Sequence, residues 1–180
     1  MRSIHFLLFL GLAAAACSKA APATKTPAVA DPVPMGDTSA SSPPAAAPDS
    51  ARAVLAAYER VRVSLAADDL TGVPEAARAL ETSAKAAASA GNAHFSAIAT
   101  SSSALAAAAD LKAARTSFGE VSEHLVALLA TDKALATGQH VFECPMVKGY
   151  NKWVQPSENL ENPYMGKRML TCGGESSWTD

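Results

Sequence analysis

Apolar positions recur at spacings of three and four through the middle of this chain, the pattern of helices that turn one face inward. Val54, Tyr58, Val61 and Leu65 predict a first helix, with Asp49-Ser50 as its cap and Arg52, Glu59, Arg60 and Arg62 mostly off the apolar stripe. The run Ala67-Asp68-Asp69-Leu70-Thr71-Gly72 breaks it. Thr71 or Gly72 then precedes a second helix, about 73–89, with Pro74 in its first turn. Its apolar face is Leu80 and many alanines, so it is shallow and permits close helix approach; Gly91-Asn92 ends it. A third helical stretch, about 93–109, offers Phe95, Ile98 and Leu105. The longest periodic run follows: Leu111, Ala114, Phe118, Val121, Leu125 and Leu128. Asp110 either caps a separate helix there or lies inside one long helix; the pattern permits both. The expected fold is all-α, an antiparallel three- or four-helix bundle over residues 49–136.

After Gly138 the pattern changes, with fewer alanines and more aromatic, proline and glycine residues. Val141-Phe142-Glu143-Cys144 alternates like a short strand, and Pro145 stops helix from running through it. If the segment stays extended, Cys144 and Met146 face the same side. Asn162-Pro163-Tyr164-Met165-Gly166 is a turn by composition. A helical turn after it would put Met165, Met169 and Cys172 on one face. Residues 137–180 are therefore expected to form a short irregular or β tail, rich in Cys and Met, packed on the bundle as part of the same domain.

The N-terminal region is of another kind. Residues 1–16 read as an export signal, with Arg2 ahead of an apolar stretch from Phe6 to Ala16 that is too short for a permanent membrane span. Ala14-Ala15-Ala16-Cys17 resembles a bacterial lipobox, which makes Cys17 the lipidation site and the lipid its membrane anchor. Leucine would ordinarily stand where Ala14 does, and Ala14-x-Ala16 also fits ordinary signal cleavage with secretion. Ser18 after the cysteine implies sorting to the outer membrane, facing the periplasm. The Ala/Pro/Ser/Thr tract up to Pro48 lacks large apolar side chains and is expected to be a disordered tether, with a span of roughly 30 Å. Net charge is −2 with no basic run, so no nucleic-acid partner is expected.

Candidate chemistry is concentrated in the tail. The helical body has no G-x-S-x-G, H-E-x-x-H or glycine-rich phosphate loop, and no enzyme activity is expected. His94 and His124 read as ordinary helix residues, Glu120 and Glu123 as a solvated face, and Arg115 as a surface or packing arginine unless the tail docks on it. The tail holds Cys144, Met146, Met165, Met169 and Cys172. Two thiolates and two thioethers, Cys144, Cys172, Met146 and Met169, suit a soft ion such as Cu(I) or Ag(I), with His140 and Met165 as optional ligands. The competing reading is a disulfide. With Cys17 lipidated, Cys144 and Cys172 are the two cysteines left in an oxidising compartment, and their bridge would close a loop worth roughly 3.5 kcal/mol. Composition and spacing leave both open.

Cys144-Pro145-Met146, Trp153 and Asn162-Pro163-Tyr164-x-Gly166-x-x-Met169-x-x-Cys172-Gly173 resemble the tail pattern of the bacterial domain-of-unknown-function family numbered three-three-four-seven. Tyr58, the run from Leu65 to Leu70 and Asp110-Leu111-x-x-Ala114-Arg115-x-x-Phe118-x-x-x-Ser122 resemble its helical part. Such domains occur alone in exported proteins and on periplasmic adaptor subunits of heavy-metal efflux pumps. The resemblance therefore implies copper or silver handling, by sequestration or delivery to an efflux system, with an efflux adaptor as a partner. Met165 stands where the family often has an aromatic residue, which makes it a weaker ligand candidate than Met146 or Met169.

Overall fold

The computed structural model describes residues 46–179. The expected signal segment, Cys17 and the tether up to residue 45 lie outside the described residues. Four long helices come first: α1 (Ala46–Ala66), α2 (Val73–Ala88), α3 (Ala93–Ala106) and α4 (Leu111–Thr131). A single turn, α5 (Lys133–Ala136), leads to strands β1 (His140–Glu143), β2 (Lys152–Gln155) and β3 (Gly174–Glu175), with a 3-10 helix over Gly166–Met169 between the last two. Successive helices pack side by side, α1 on α2, α2 on α3 and α3 on α4, so the bundle has four helices.

Local chemistry explains the boundaries. Helix α1 begins at Ala46, ahead of the expected cap, and Asp49 lies in its first turn, where a carboxylate favours the positive end of the helix dipole. Helix α2 carries Pro74 in its first turn behind Gly72 and buries Val73, Ala76, Ala77, Leu80, Ala84 and Ala87. That face of small residues lets one helix sit between two neighbours. Asp110 decides the open question between α3 and α4. Its carboxylate accepts a hydrogen bond from the Ala113 N–H at 2.8 Å, and it caps a separate helix. Asn92 does the same for α3 through the N–H of His94.

The three strands form one antiparallel sheet in the order β2-β1-β3. Val141 stands opposite Val154 and Phe142 opposite Trp153. Strand β2 lies against α4 and also touches α1, which makes the sheet a lid on that side of the bundle. A chain of aromatic rings runs through the junction. Tyr58 stacks on Phe118 with ring centres 5.0 Å apart, Phe118 meets Tyr164 at 5.6 Å, Tyr164 meets Trp153 at 6.0 Å, and Trp153 stacks on Phe142 at 5.8 Å. Bundle and tail thus share one apolar core.

The buried hydroxyls where α1, α4 and β2 meet are paired. The Tyr58 hydroxyl lies 2.7 Å from the Ser122 hydroxyl and accepts the Val154 N–H. Burial pushes the ionisation of both Tyr58 and Tyr164 far above the usual phenol range, so both stay neutral hydrogen-bonding groups.

Candidate functional site

Two arginines of the bundle hold the tail turn from either side. Arg62, only 2 % exposed on α1, donates to the backbone carbonyl of Glu161 at 2.9 Å and pairs with the carboxylates of Glu59 and Glu161. Arg115 on α4 donates to the Pro163 carbonyl at 2.8 Å and the Leu65 carbonyl at 3.0 Å, and pairs with Asp68. The tail does dock on Arg115, the condition under which it is more than a surface residue. Asp68 in turn accepts the Lys167 N–H at 3.0 Å, and the Arg115 guanidinium holds its carboxyl below the usual carboxylate range.

Between these clamps sits Asn162, fully buried. Its side-chain oxygen accepts the N–H groups of Tyr164 and Met165, at 2.8 and 3.0 Å. Its side-chain nitrogen donates to the Cys172 carbonyl at 2.6 Å. One amide therefore forms the turn and ties it to the segment that carries the second cysteine, just ahead of β3. Sequence reasoning identified the Asn-Pro turn but not this linking role; the signal was the ability of Asn to satisfy backbone groups two residues on.

The turn ends at Gly166, with φ +60°, where an added Cβ would collide with Asp68 and Arg115. The expected helical turn follows as a 3-10 helix over Gly166–Met169, and Met165, just before it, lines the groove beside α4. Met169 ends that helix half-buried, and its carbonyl accepts the Cys172 N–H at 3.0 Å.

Around the first cysteine the chain is a turn, not an extended strand. The Cys144 carbonyl accepts the Val147 N–H at 3.2 Å, with Pro145 in the second position where its fixed φ suits a β-turn. Met146 is carried outward and is 60 % exposed. It lines the same groove as Met165, along with Arg115, Gly119, Tyr150 and Tyr164. The expectation that Met146 faces the same side as Cys144 is therefore corrected, because it required an extended segment. His140 is displaced as well. It begins β1, roughly 13 Å along the strand from Cys144 at about 3.3 Å per residue, and stands near Glu175 instead.

The two cysteines meet. Cys144 Sγ, fully buried, lies 3.1 Å from Cys172 Sγ, which is half-buried, although 28 positions separate them. The contact follows from Gly173, whose φ of +133° brings it against the Glu143 carbonyl and the Trp153 ring. A side chain there would push the strands apart. The hydrogen bond with Cys144 raises the Cys172 thiol above its ordinary value, with burial and Cys144 charge adding to the shift.

Among the described residues no group of three or more His, Cys, Asp or Glu side chains is placed to hold a metal ion. The cysteines are the part of the expected ligand set shown in mutual contact; Met146 and His140 are elsewhere. Two sulfurs on one tetrahedral ion would stand about 3.8 Å apart, given bonds of about 2.3 Å, and a disulfide closes to about 2.05 Å. The observed separation falls between these two end states.

No curated protein and no solved structure matches the chain. A family match covers residues 54–137, from the third turn of α1 to just past α5. That helical body matches the family described as Protein of unknown function (DUF3347).

Proposed function

We propose that this chain is a non-catalytic interaction module of the cell envelope whose tail is closed onto the bundle by a Cys144–Cys172 disulfide. The observation that carries this reading is the 3.1 Å approach of the two sulfurs across two otherwise separate tail segments. In an exported protein such a pair oxidises, because the compartment favours disulfides. The sequence features of residues 1–17 support export and a lipid anchor at Cys17, which would hold the module on the periplasmic face of the outer membrane. The partner-facing surface is the groove of about 730 Å³ between α4 and the tail. Met146 and Met165 line it, and methionine adapts to irregular partner surfaces. The family resemblance makes an efflux adaptor the partner to test first.

A second reading has its own support. Cys172 is half-buried, so an ion can reach the pair from solvent, and Met169 stands one turn before it with its backbone bonded to it. In the reduced protein the two thiolates, with Met169, would take one Cu(I) or Ag(I), thiolate and thioether being the ligands such ions prefer. Protein purified from the periplasm and assayed without reductant separates the two readings. The disulfide reading expects no reactive thiol at positions 144 and 172 and no stoichiometric copper. Two thiols protected by one bound soft ion, lost in Cys144→Ser, would establish the metal reading in its place.

A further inference from the structure

On the α3–α4 side of the bundle, away from the tail sulfurs, two histidines face each other. His94 lies in the first turn of α3, where the Asn92 cap fixes its backbone by accepting its N–H at 2.9 Å. His124 lies on α4, which runs alongside α3. Their ring centres are 6.2 Å apart with planes inclined at 47°. Both side chains are half-buried, and among the described residues neither ring makes a hydrogen bond to the protein.

The pair has the dimensions of a shared ligand site. A metal–imidazole bond of about 2.0–2.1 Å places each ring centre near 3.2 Å from the ion, so two rings on one ion stand roughly 5–6.4 Å apart. The observed 6.2 Å lies near the wide end of that range, an angle of about 150° at the ion, and rotation of the rings toward each other would narrow it. Neutral imidazole selects borderline divalent ions such as Ni²⁺, Cu²⁺ and Zn²⁺ over Ca²⁺ or Mg²⁺. Among the described residues no third carboxylate, thiol or imidazole stands with the pair, so water would fill the remaining positions. A two-ligand site of this kind exchanges its ion readily, unlike a four-ligand structural centre.

We infer that His94 and His124 form an exchangeable divalent transition-metal site bridging α3 and α4, separate from the cysteine pair and independent of the function proposed above. Ni²⁺ titration of the mature protein, followed by calorimetry and thermal melting, tests it. About one Ni²⁺ is expected to bind and to raise the melting temperature by several degrees when the ion is in about hundredfold excess over its Kd. The shift should survive in Cys144→Ser/Cys172→Ser and in His140→Gln. It should vanish in His94→Gln and in His124→Gln while their metal-free melts stay near that of the parent. In the parent protein, paramagnetic Ni²⁺ should broaden the ring signals of His94 and His124 together, a readout that needs no variant to fold. Failure of the parent to bind, undiminished binding in either glutamine variant, or broadening that spares both rings would overturn the assignment.

Discussion

The bundle and the tail contribute to one core by opposite means. Helix α2 hides a row of small side chains, Ala76, Ala77, Ala84 and Ala87 around Leu80, and gains its packing from close helix approach. The tail uses few residues but large ones. Trp153, Tyr164 and Phe142 join Phe118 and Tyr58 in one run of rings, and arginines and Asn162 satisfy the irregular backbone between them. An alanine face tolerates small adjustments spread over many contacts. An aromatic chain concentrates its contribution in a few positions, and so should the damage from substitution.

The largest effect expected from this contrast is at Trp153. Trp153→Ala should cost about 3–5 kcal/mol in urea unfolding, because a fully buried ring is lost from between Phe142 and Tyr164. Helical and aromatic signals should fall in a single transition. A helical signal that persists after the aromatic signal is lost would make bundle and tail separate units and break the comparison. Next is the sulfur pair. If oxidised, its reduction should cost about 3.5 kcal/mol in the loop-entropy picture, read as a lower unfolding midpoint in reductant. No such shift is expected in Cys144→Ser/Cys172→Ser.

Gly166→Ala should cost about 2–3 kcal/mol, because it combines a left-handed backbone with a collision against Asp68 and Arg115. Gly91→Ala is its control, also at positive φ but with open space around it, and should cost less. An equal loss at both positions would remove the argument that the Asp68–Arg115 clamp shapes the turn.

The smallest effect concerns pH. Arg115 holds the Asp68 carboxyl below the usual range, so as acid is added the unfolded chain takes up the proton first. The contribution of Asp68 is therefore complete above its unfolded value, about pH 4, and is lost as pH falls through the folded value. Asp68→Asn should lower stability at pH 7 by about 1 kcal/mol and flatten the acid limb of the pH–stability curve. An unchanged acid limb would remove Asp68 from that account.

Much of this fold was legible in the chain, and unevenly so. The helices declared themselves because apolar positions kept a period of three to four, and caps such as Asp110 were recognisable as candidates. Strand β2 did not, since Lys-Trp-Val-Gln shows no alternation and all four residues are buried. Its polar members are accommodated by partners distant from the motif. Lys152 Nζ donates to the Ser177 carbonyl, and Gln155 accepts from the Trp153 ring N–H while donating to two loop carbonyls. The meeting of Cys144 and Cys172 could be anticipated by elimination, as the two tail cysteines. The position of Met146 could not, because it depends on Pro145 turning the chain, and strand spacing pointed the other way. Arg62 looked like a surface residue until Glu161 came to cover it.

The central claim is that residues 144 and 172 are covalently joined in the working protein. Non-reducing peptide mapping by mass spectrometry, on chain isolated from the periplasm with thiols blocked at lysis, tests it most directly. The account predicts a single cross-linked peptide containing Cys144 and Cys172 and neither residue carrying the blocking group. Recovery of both residues alkylated would contradict it and leave the dithiol available as a soft-ion ligand.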